Sequence, residues 1–580
     1  MIIETPAFCR GFFVYRPNWI YQIIHYKKKL YLYRFAVVVK PNYTIPMKKI
    51  LILLFFCFHV VVFAQHKQPN IIFILSDDHA YQAIGAYGNK LISTPNIDRL
   101  AKSGALFNNA IVSNAICGPS RAAFITGQYS HKNGYKVNDG VLDTNQRFLP
   151  EILSQNGYQT AWIGKWHLGS LPKGFDYWNV MPVQGHYFNP DFINQKNDTL
   201  LYHGYVTEVI TELTKKYLKD RNPDKPFFLV VGEKATHREW LPDLQDLGAY
   251  DSVKFPLPAT FYDDYKGRTA AAKQLMSVGD VLTLKTDLKI NQPFGEKPKV
   301  NNQPAKPAVK GKEIEESMMR YYQQGEYARM DSVQSKAYRN YYGQLAKEFA
   351  QLNLTGNALK EWKFQRYMKD YYATAKSLDR NIGEILDYLD KNGLSENTIV
   401  IYASDQGFYL GEHGWFDKRF IYEESLRTPF IIRMPQLPAL KDKKVNQIIS
   451  NVDWAPTILD FSGIAKPDFM QGKSFLPVLK NPQIKNWSKD GAYYHYYEYP
   501  GPHYVSPHFG IRTDDYVLVR FYKGTEAWEL YDLKKDPSEL NNIVDDKHYN
   551  TIKNELKKKL NKLIVAYDDQ EALKVFNQAL

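Results

Sequence analysis

The sequence NIIFILSDD at residues 70–78 is a continuous apolar run that ends abruptly in two carboxylates, Asp77 and Asp78. A run without polar alternation is typical of a strand buried on both faces, as in a parallel sheet flanked by helices. Three later runs share this design, and they lie at residues 160–164, 227–231 and 398–403. The pattern predicts an α/β fold in which a large mixed, mostly parallel sheet is sandwiched by helices.

Ionisable or polar side chains follow the end of each of these four runs. They are Asp77 and Asp78, Lys165 and His167, His237, and Asp405 with Gln406. In open α/β sheets, ligands bind beyond the carboxyl ends of the strands. We therefore expect the four strand ends to converge on one site.

The acidic members of this set indicate a metal. Asp77, Asp78, Asp405 and Gln406 offer only oxygen ligands, which suit Ca²⁺ and, as a second choice, Mg²⁺. Adjacent carboxylates at a strand end repel each other unless a cation lies between them. The alternative is that Asp77 and Asp78 only cap a turn or a helix.

Cys117 has no disulfide partner in the expected mature protein. The chain has three cysteines, and the other two, Cys9 and Cys57, fall within or before a predicted leader. Cys117 opens the sequence CGPSRAAFITG at residues 117–127, where Pro119 favours the first turn of a helix. The positive end of the helix dipole and Arg121 then suit an anion. The alternative is an inert, buried cysteine at a helix start.

Residues 47–64 have the pattern of a secretory signal peptide: Met-Lys-Lys, an apolar core, and Val-Phe-Ala. We interpret residues 1–46 as an extension ahead of the true start at Met47; the alternative is a long N-terminal anchor. The first 49 residues carry nine Lys or Arg and one Glu, which is +8 of the net +13 and leaves +5. The sequence therefore predicts a protein that is exported, periplasmic or extracellular, does not span the membrane and does not bind nucleic acid.

Two parts of different character follow the leader. Residues 66–480 are predicted to form the catalytic α/β domain, in which the pattern loosens at about 246–358. That segment is interpreted as an insertion near the active-site face, or alternatively as a surface decoration. Residues 481–580 are predicted to form a smaller α+β subdomain. Its antiparallel strands lie at residues 493–499, 510–522 and 527–532, and its helix at about 549–567.

The sequence CGPSR at residues 117–121, followed by Thr126-Gly127, resembles the maturation signature of the type I, formylglycine-dependent sulfatases of the alkaline phosphatase superfamily. In that family a maturation enzyme oxidises the cysteine to Cα-formylglycine, whose hydrate is the nucleophile. GKWHLG at 164–169, KATH at 234–237 and the stretch GEHGW that leads to Lys418 resemble further motifs of the family. The resemblance covers residue 70 to the end.

The resemblance also implies the site residues. The catalytic residues would be Cys117, Arg121, Lys165, His167, His237 and Lys418, and the metal ligands Asp77, Asp78, Cys117, Asp405 and Gln406. Gln406 stands where the family commonly has Asn. In this scheme His237 and Lys418 protonate or stabilise the leaving oxygen, and His167 is the base that regenerates the aldehyde.

Residues 493–508, dense in aromatics and histidines, resemble sulfatases that remove the 6-sulfate of N-acetylglucosamine in sulfated glycans. His503 and His508 are candidate sugar contacts; the alternative is a tyrosine-rich edge of the small sheet. Other functions stay open at this point. They are another glycosaminoglycan sulfatase, for example one for 2-O-sulfated uronate, a phosphonate or phosphate ester hydrolase, and a sulfated-glycan binding protein unconverted at Cys117.

Overall fold

The computed structural model describes residues 68–292, 294, 325–487 and 490–578, and the backbone of four short strands near the N-terminus. The chain divides into two units, residues 1–67 and 68–580. In the first unit the described strands form two antiparallel pairs; they are Glu4–Thr5 with Cys9–Arg10 and Trp19–Tyr26 with Lys29–Ala36. The predicted signal peptide lies outside the described residues.

A ten-stranded mixed sheet organises the described part of the second unit. Its central strand, Asn70–Ser76, is buried throughout and pairs in parallel with Phe227–Gly232 on one side and Thr398–Ser404 on the other. Gln159–Lys165 continues the parallel core beyond Phe227–Gly232. From edge to edge the strands are Thr199–Leu201, Asp191–Asn194, Tyr177–Met181, Gln159–Lys165, Phe227–Gly232, Asn70–Ser76, Thr398–Ser404, Phe430–Arg433, Ala105–Phe107 and Lys443–Val445. The four predicted strands are all present, and the predicted fold class is confirmed.

Helices cover both faces of this sheet because the central strand is apolar on both. Ile72 and Ile74 belong to the same core as the long helix Gly356–Lys391. Phe73 points to the other face, where its ring stacks on Phe124 with centroids 4.5 Å apart. The α-helices described are Pro95–Lys102, Cys117–Thr126, Ser130–Asn133, Leu149–Gln155, Val206–Asp220, Thr269–Lys273, Ser332–Leu352, Gly356–Lys391, Glu423–Leu426, Trp454–Phe461, Leu476–Lys480, Asn550–Ala566 and Gln570–Phe576. Within the described residues, every helix is too short or too polar to cross a membrane.

The C-terminal region forms a separate four-stranded antiparallel sheet. Its strands, in chain order, are Ala492–Tyr496, His508–Arg512, Tyr516–Phe521 and Ala527–Asp532. The helix Asn550–Ala566 covers one face through Leu556, Leu560 and Ile564. The prediction of a single strand at 510–522 is wrong, because Thr513 accepts hydrogen bonds locally and turns the chain between two strands.

Part of the predicted insertion lies beside the loop at residues 411–418. The Phe416 N–H donates to the Met276 carbonyl at 3.0 Å, and the Val278 N–H donates to the Gly414 carbonyl at 2.9 Å. Backbone hydrogen bonds of this kind fix the path of both segments. The insertion therefore supports the loop that ends at Lys418.

The buried carboxylate of Asp569, just before the helix Gln570–Phe576, ties this helix to the rest of the domain. Asp569 is 0% exposed and accepts hydrogen bonds at one oxygen from Tyr493 at 2.9 Å and Tyr497 at 3.2 Å. The same oxygen lies 3.0 Å from Nδ1 of His131 and 2.7 Å from Nδ1 of His495. One charge thus satisfies several buried donors that have no access to water.

We expect Asp569→Asn to lower the free energy of unfolding by about 2–3 kcal/mol, because hydrogen bonds to a charged group are the strong ones and their donors are left unsatisfied. Denaturant unfolding measures this change. The neighbouring control is Asp568→Asn, which alters an exposed pair with Lys132 and should leave the unfolding midpoint almost unchanged. Equal midpoints for the two variants would contradict the role given to Asp569.

Candidate active site

The ends of the four parallel strands and the start of the helix Cys117–Thr126 meet at one buried place. The structure brings together ten of the predicted residues, namely Asp77, Asp78, Cys117, Arg121, Lys165, His167, His237, Asp405, Gln406 and Lys418. They come from six separate stretches of sequence. The convergence follows from the parallel pairing, which places the carboxyl ends of neighbouring strands at the same edge.

Three carboxylates and one amide form the acidic centre. Asp77 and Asp78 are 0% and 1% exposed, and the φ of +60° at Asp78 is a left-handed conformation that aspartate tolerates. The Asp78 N–H donates to Asp405 Oδ1 at 3.3 Å, and Gln406 Nε2 donates to Asp78 Oδ1 at 2.5 Å. Oε1 of Gln406 is buried and has no hydrogen-bond partner among the described residues.

This centre fits a divalent cation. Burial raises the pKa of Asp405 to about 7, and repulsion from the neighbouring Asp77 contributes to the same shift. One ligand atom from each of Asp77, Asp78, Cys117 and His237 lies within 4.8 Å of the others. Oε1 of Gln406, which has no hydrogen-bond partner among the described residues, adds a further oxygen that can ligate the metal. The oxygen-rich set suits Ca²⁺ or Mg²⁺ rather than a thiophilic metal.

Cys117 is the first residue of its helix and points into the acidic centre. Its Sγ is 3.3 Å from Asp77 Oδ1 and 3.5 Å from Gln406 Nε2. Burial, and then Asp77, raise the pKa of the Cys117 thiol well above its ordinary value. A thiol that stays protonated is a poor nucleophile. In this arrangement the unmodified side chain is therefore not activated for attack.

The next residues of the CGPSR sequence keep the helix start close to its neighbours. A Cβ on Gly118 would lie 2.4 Å from the Tyr135 ring, so only glycine fits there. The Gly118 N–H donates to Asn138 Oδ1 at 3.0 Å. Ser120 Oγ donates to the Asp405 carbonyl and so joins the helix to the strand Thr398–Ser404.

Arg121 lies one turn along the helix and is completely buried. Its Nε donates to Asp405 Oδ2 at 2.9 Å, and its Nη1 donates to the Lys165 carbonyl at 2.8 Å. Nη2 is buried without a hydrogen-bond partner in the described part of the chain. An anion can therefore be bound by this remaining donor without breaking the other two contacts.

Two buried lysines complete the balance of charge. Lys418 Nζ lies 2.7 and 2.6 Å from the two oxygens of Asp78, and Lys165 Nζ donates to Asp77 and to Gln184. Burial alone would raise the pKa of Asp77, but Lys165 beside it holds that pKa well below its usual range. The site is thus charged yet dry, and electrostatic interactions are strong there.

Both histidines that were predicted to be catalytic, His167 and His237, belong to this cluster. Nδ1 of His237 lies 2.5 Å from the Arg238 carbonyl, so it donates there and leaves Nε2 without a proton in the neutral ring. His167 has a left-handed φ of +56° and its Nε2 lies 3.0 Å from Gln184 Nε2. Burial, and then Lys165, lower the pKa of each histidine well below the ordinary value. Both rings are therefore neutral in this arrangement.

Two residues predicted to contact the sugar have different positions. Nε2 of His503 donates to Asp417 Oδ2 at 3.1 Å, so the ring lies beside the residue that precedes Lys418. His508 is 0% exposed, and its Nε2 accepts from the Ile421 N–H at 3.1 Å while Nδ1 lies 2.9 Å from the Ser506 carbonyl. Both nitrogens of His508 are engaged inside the small sheet. The ring thus supports the loop at Ile421, and a sugar contact at His508 stays a prediction.

Sequence reasoning missed the residues that hold this cluster in place. Gln184 touches both Lys165 and His167, and Arg419 pairs with Asp417 and Glu498. The triplet Asp-Lys-Arg that ends at Arg419 was a visible signal of a charged site. Gln184 carried no such signal, since a single glutamine in a loop is usually a solvated residue.

Comparisons with known proteins agree with this site. A model of the sulfatase family matches residues 69–464, and a model described as the C-terminal part of N-sulphoglucosamine sulphohydrolase matches residues 411–566. An N-acetylglucosamine-6-O-sulfatase of Bacteroides thetaiotaomicron is 44% identical over 87% of this chain and 88% of its own. An ulvan-active sulfatase of Formosa agariphila is 27% identical over 87% of this chain and 82% of its own.

A solved structure is also similar. It is that of BT4656 in complex with its substrate D-glucosamine-2-N,6-O-disulfate, at a TM-score of 0.80 and 42% identity, covering 88% of this chain and 100% of the other. The sulfatase model spans more than half of the sequence, and the match to the Bacteroides thetaiotaomicron relative covers 87% of this chain. The chain therefore belongs to the sulfatase family.

Proposed function

We propose that this sulfatase removes the 6-O-sulfate of N-acetylglucosamine in a sulfated glycan, with Cα-formylglycine at position 117 and Ca²⁺ in the acidic centre. The observation that carries the proposal is the convergence of Cys117 with three carboxylates and three buried cations at one edge of the sheet. The 44% identical relative named as an N-acetylglucosamine-6-O-sulfatase supports the choice of substrate. So does the 6-O-sulfated substrate bound to BT4656.

The cations of the site bind the sulfate group. A sulfate monoester carries one negative charge, and more charge moves to the leaving oxygen as the S–O bond breaks. Arg121 offers its unpaired Nη2, and the ammonium groups of Lys165 and Lys418 lie on the same centre. Donors fixed in a dry site stabilise such a redistribution without having to reorganise.

His237 is placed to assist the leaving group. Because Nδ1 donates to the Arg238 carbonyl, its Nε2 is the atom directed to the cluster with Asp77 and Cys117. Because Nε2 carries no proton in the neutral ring, His237 could donate to the departing sugar oxygen only after taking up a proton there, whereas the ammonium group of Lys418 already offers protons and positive charge to that oxygen. The Nδ1 contact keeps the ring in this orientation.

The groups that the family implies supply the remaining chemistry: formylglycine provides an oxygen nucleophile at position 117, and Ca²⁺ provides a Lewis acid beside it. Cys117 is 1% exposed, so a maturation enzyme must reach it before the chain folds. The high pKa of the thiol supports the need for such a conversion, because cysteine itself is not activated here.

We also propose that the protein is exported, because of the leader pattern at residues 47–64. N-terminal sequencing of the protein from the periplasmic fraction and from the medium tests this. A mature start just after residue 64 is expected. An N-terminus at residue 1 or at Met47 in the cytoplasmic fraction alone would exclude export.

The substrate is tested by desulfation of defined sugars. We expect turnover of 6-O-sulfated N-acetylglucosamine, and kcat/KM at least about 100-fold lower for a 2-O-sulfated uronate or for the matching 6-phosphate. The uronate leaves buried donors unpaired, and the phosphate ester carries a second negative charge that the site does not balance. Ion chromatography of released sulfate and phosphate measures all three. Faster turnover of the phosphate ester would favour a phosphomonoester or phosphonate hydrolase instead.

The nucleophile is tested at Cys117. After production with a maturation enzyme, the peptide that contains residue 117 should have the mass of formylglycine. Cys117→Ala should abolish turnover and leave the melting temperature nearly unchanged, because alanine fits a helix start without leaving a large cavity. An intact thiol in an active preparation, or activity in the alanine variant, would refute the assignment. An intact thiol with tight glycan binding and no turnover would indicate a binding protein.

The metal is tested by removal and by substitution. Chelation should abolish turnover, and Ca²⁺ should restore it at lower concentration than Mg²⁺ because the carboxylate-rich centre can supply more than six oxygens. Gln406→Met removes the amide oxygen and should raise the Ca²⁺ concentration needed for half-maximal activity about 10-fold or more. Gln406→Asn, which keeps an amide oxygen, is the matched control. Full activity after exhaustive chelation would exclude a catalytic metal.

A further inference from the structure

The loop between the first two strands of the small sheet is fixed beside the active site at two points. Glu498 in this loop pairs with Arg419, and Nε2 of His503 donates to Asp417 Oδ2 at 3.1 Å. These two partners are the residues immediately before and after Lys418. The loop is therefore held against the segment that brings Lys418 to the site.

The outer surface of this loop is apolar and exposed. Tyr504 is 44% exposed, and the centroid of its ring lies 5.2 Å from that of Tyr499. The two prolines between them are exposed as well. Leu275 is 50% exposed and lies alongside, because its N–H donates to the His503 carbonyl at 2.7 Å. We call Leu275, Tyr499 and Tyr504 the aromatic patch.

The backbone holds Tyr504 in an uncommon conformation. Its φ is +56°, a left-handed value that bulky side chains rarely adopt. Its N–H donates to the Pro500 carbonyl at 3.0 Å, which closes the turn. Tyr499 packs on the next hairpin of the sheet, where a Cβ on Gly524 would lie 2.5 Å from the Tyr499 hydroxyl. Backbone strain of this kind persists only where the surrounding structure fixes it, and it is frequent at ligand-binding sites.

A sugar ring is the ligand that suits the aromatic patch. One face of a pyranose ring carries C–H groups and stacks on an aromatic ring, while the hydroxyl groups stay in water. An exposed apolar patch that continues from a site is typical of a ligand-binding surface. The three side chains expose far less area than the about 800 Å² that each partner contributes to a stable protein interface. The patch therefore favours a sugar over a second protein surface.

We propose that the aromatic patch binds a second sugar ring of the substrate, next to the ring that carries the 6-sulfate. The inference rests on the proposed function and deepens it, because it makes a glycan chain the preferred substrate and the free monosaccharide a poorer one. The patch borders the segment around Lys418, so a chain whose sulfated unit lies in the site can continue over it. Tyr504 is then a specificity-determining residue that takes no part in breaking the S–O bond.

The experiment compares a monosaccharide with two disaccharides. The first substrate is 6-O-sulfated N-acetylglucosamine, and in the disaccharides the same unit is joined to an unsulfated sugar at its reducing or at its non-reducing side. We expect kcat/KM of the wild-type protein to be about 3–10-fold higher for one of the disaccharides than for the monosaccharide, mainly through KM. Ion chromatography of released sulfate measures all three. A monosaccharide as good as both disaccharides would overturn the proposal.

Tyr504→Ala tests the residue. This variant should raise KM for the favoured disaccharide about 3–10-fold with kcat nearly unchanged, because stacking stabilises the bound substrate and the transition state equally. Both constants for the monosaccharide should stay within about twofold of wild type. Tyr504→Phe keeps the ring and should keep the preference for the disaccharide. An equal loss on the monosaccharide and the disaccharide in Tyr504→Ala would contradict the proposal.

The matched control is Tyr262→Ala. Tyr262 is 49% exposed, and its hydroxyl contacts Glu361 in the helix Gly356–Lys391. This variant should leave the constants for every substrate within about twofold of wild type. A Tyr504→Ala protein that matches this control on the disaccharide would overturn the proposal. So would a wild-type dimer that Tyr504→Ala converts to a monomer in size-exclusion chromatography, because a second copy of the chain would then cover the patch.

Binding separates this inference from the proposed function. If the wild-type protein releases no sulfate from any of the three sugars, the proposed function fails, and calorimetric titration with the same sugars tests the patch. Tighter binding of a disaccharide than of the monosaccharide by the wild-type protein, lost in Tyr504→Ala, would support the aromatic patch. Equal affinities, or no binding of any of the sugars, would overturn it.

Discussion

Three buried carboxylates compensated by three buried cations are the constraint on which the rest of this structure depends. They pair as Asp77 with Lys165, Asp78 with Lys418, and Asp405 with Arg121. An unpaired charge at this depth would cost several kcal/mol, so each partner must be held in place by its own element. The three pairs tie together the sheet edge, the helix Cys117–Thr126 and the loop at residues 411–418. The proposed divalent cation and the sulfate group would bind among these three ion pairs.

The supports of this cluster come from every part of the second unit. The insertion holds the loop before Lys418 through backbone hydrogen bonds at Met276 and Val278. The small sheet holds the same loop through His508, which accepts from the Ile421 N–H. Asp569 ties the C-terminal helix to His131. Catalytic geometry is thus maintained by packing far outside the reacting atoms, as electrostatic preorganisation requires.

Much of the fold and most of the site were predictable from the sequence. The four apolar runs, of which residues 70–76 are the first, were recognisable because a strand buried on both faces needs no polar alternation. The side chains after them were predictable as one site because parallel strands end at a common edge. The strand boundary inside 510–522 was not, since the run of β-formers continues across a turn that Thr513 makes with its own neighbours. The surroundings of His503 and His508 were not predictable either, because a histidine-rich stretch has the same composition whether its rings face a sugar or a core.

By itself the sequence determined the α/β class and predicted position 117 as the nucleophile and the acidic and basic residues around it, because these depend on local pattern and on a specific motif. Only the tertiary structure decided which side chains compensate which charges and which loop residues contact Lys165 and His167. Those properties depend on contacts such as that of Gln184 with Lys165 and His167. Such contacts join loops that are far apart in the sequence, and the number of residues between two loops does not determine how close they lie. A hydrogen bond forms only at a particular distance and angle between its atoms, and the three-dimensional structure alone provides these.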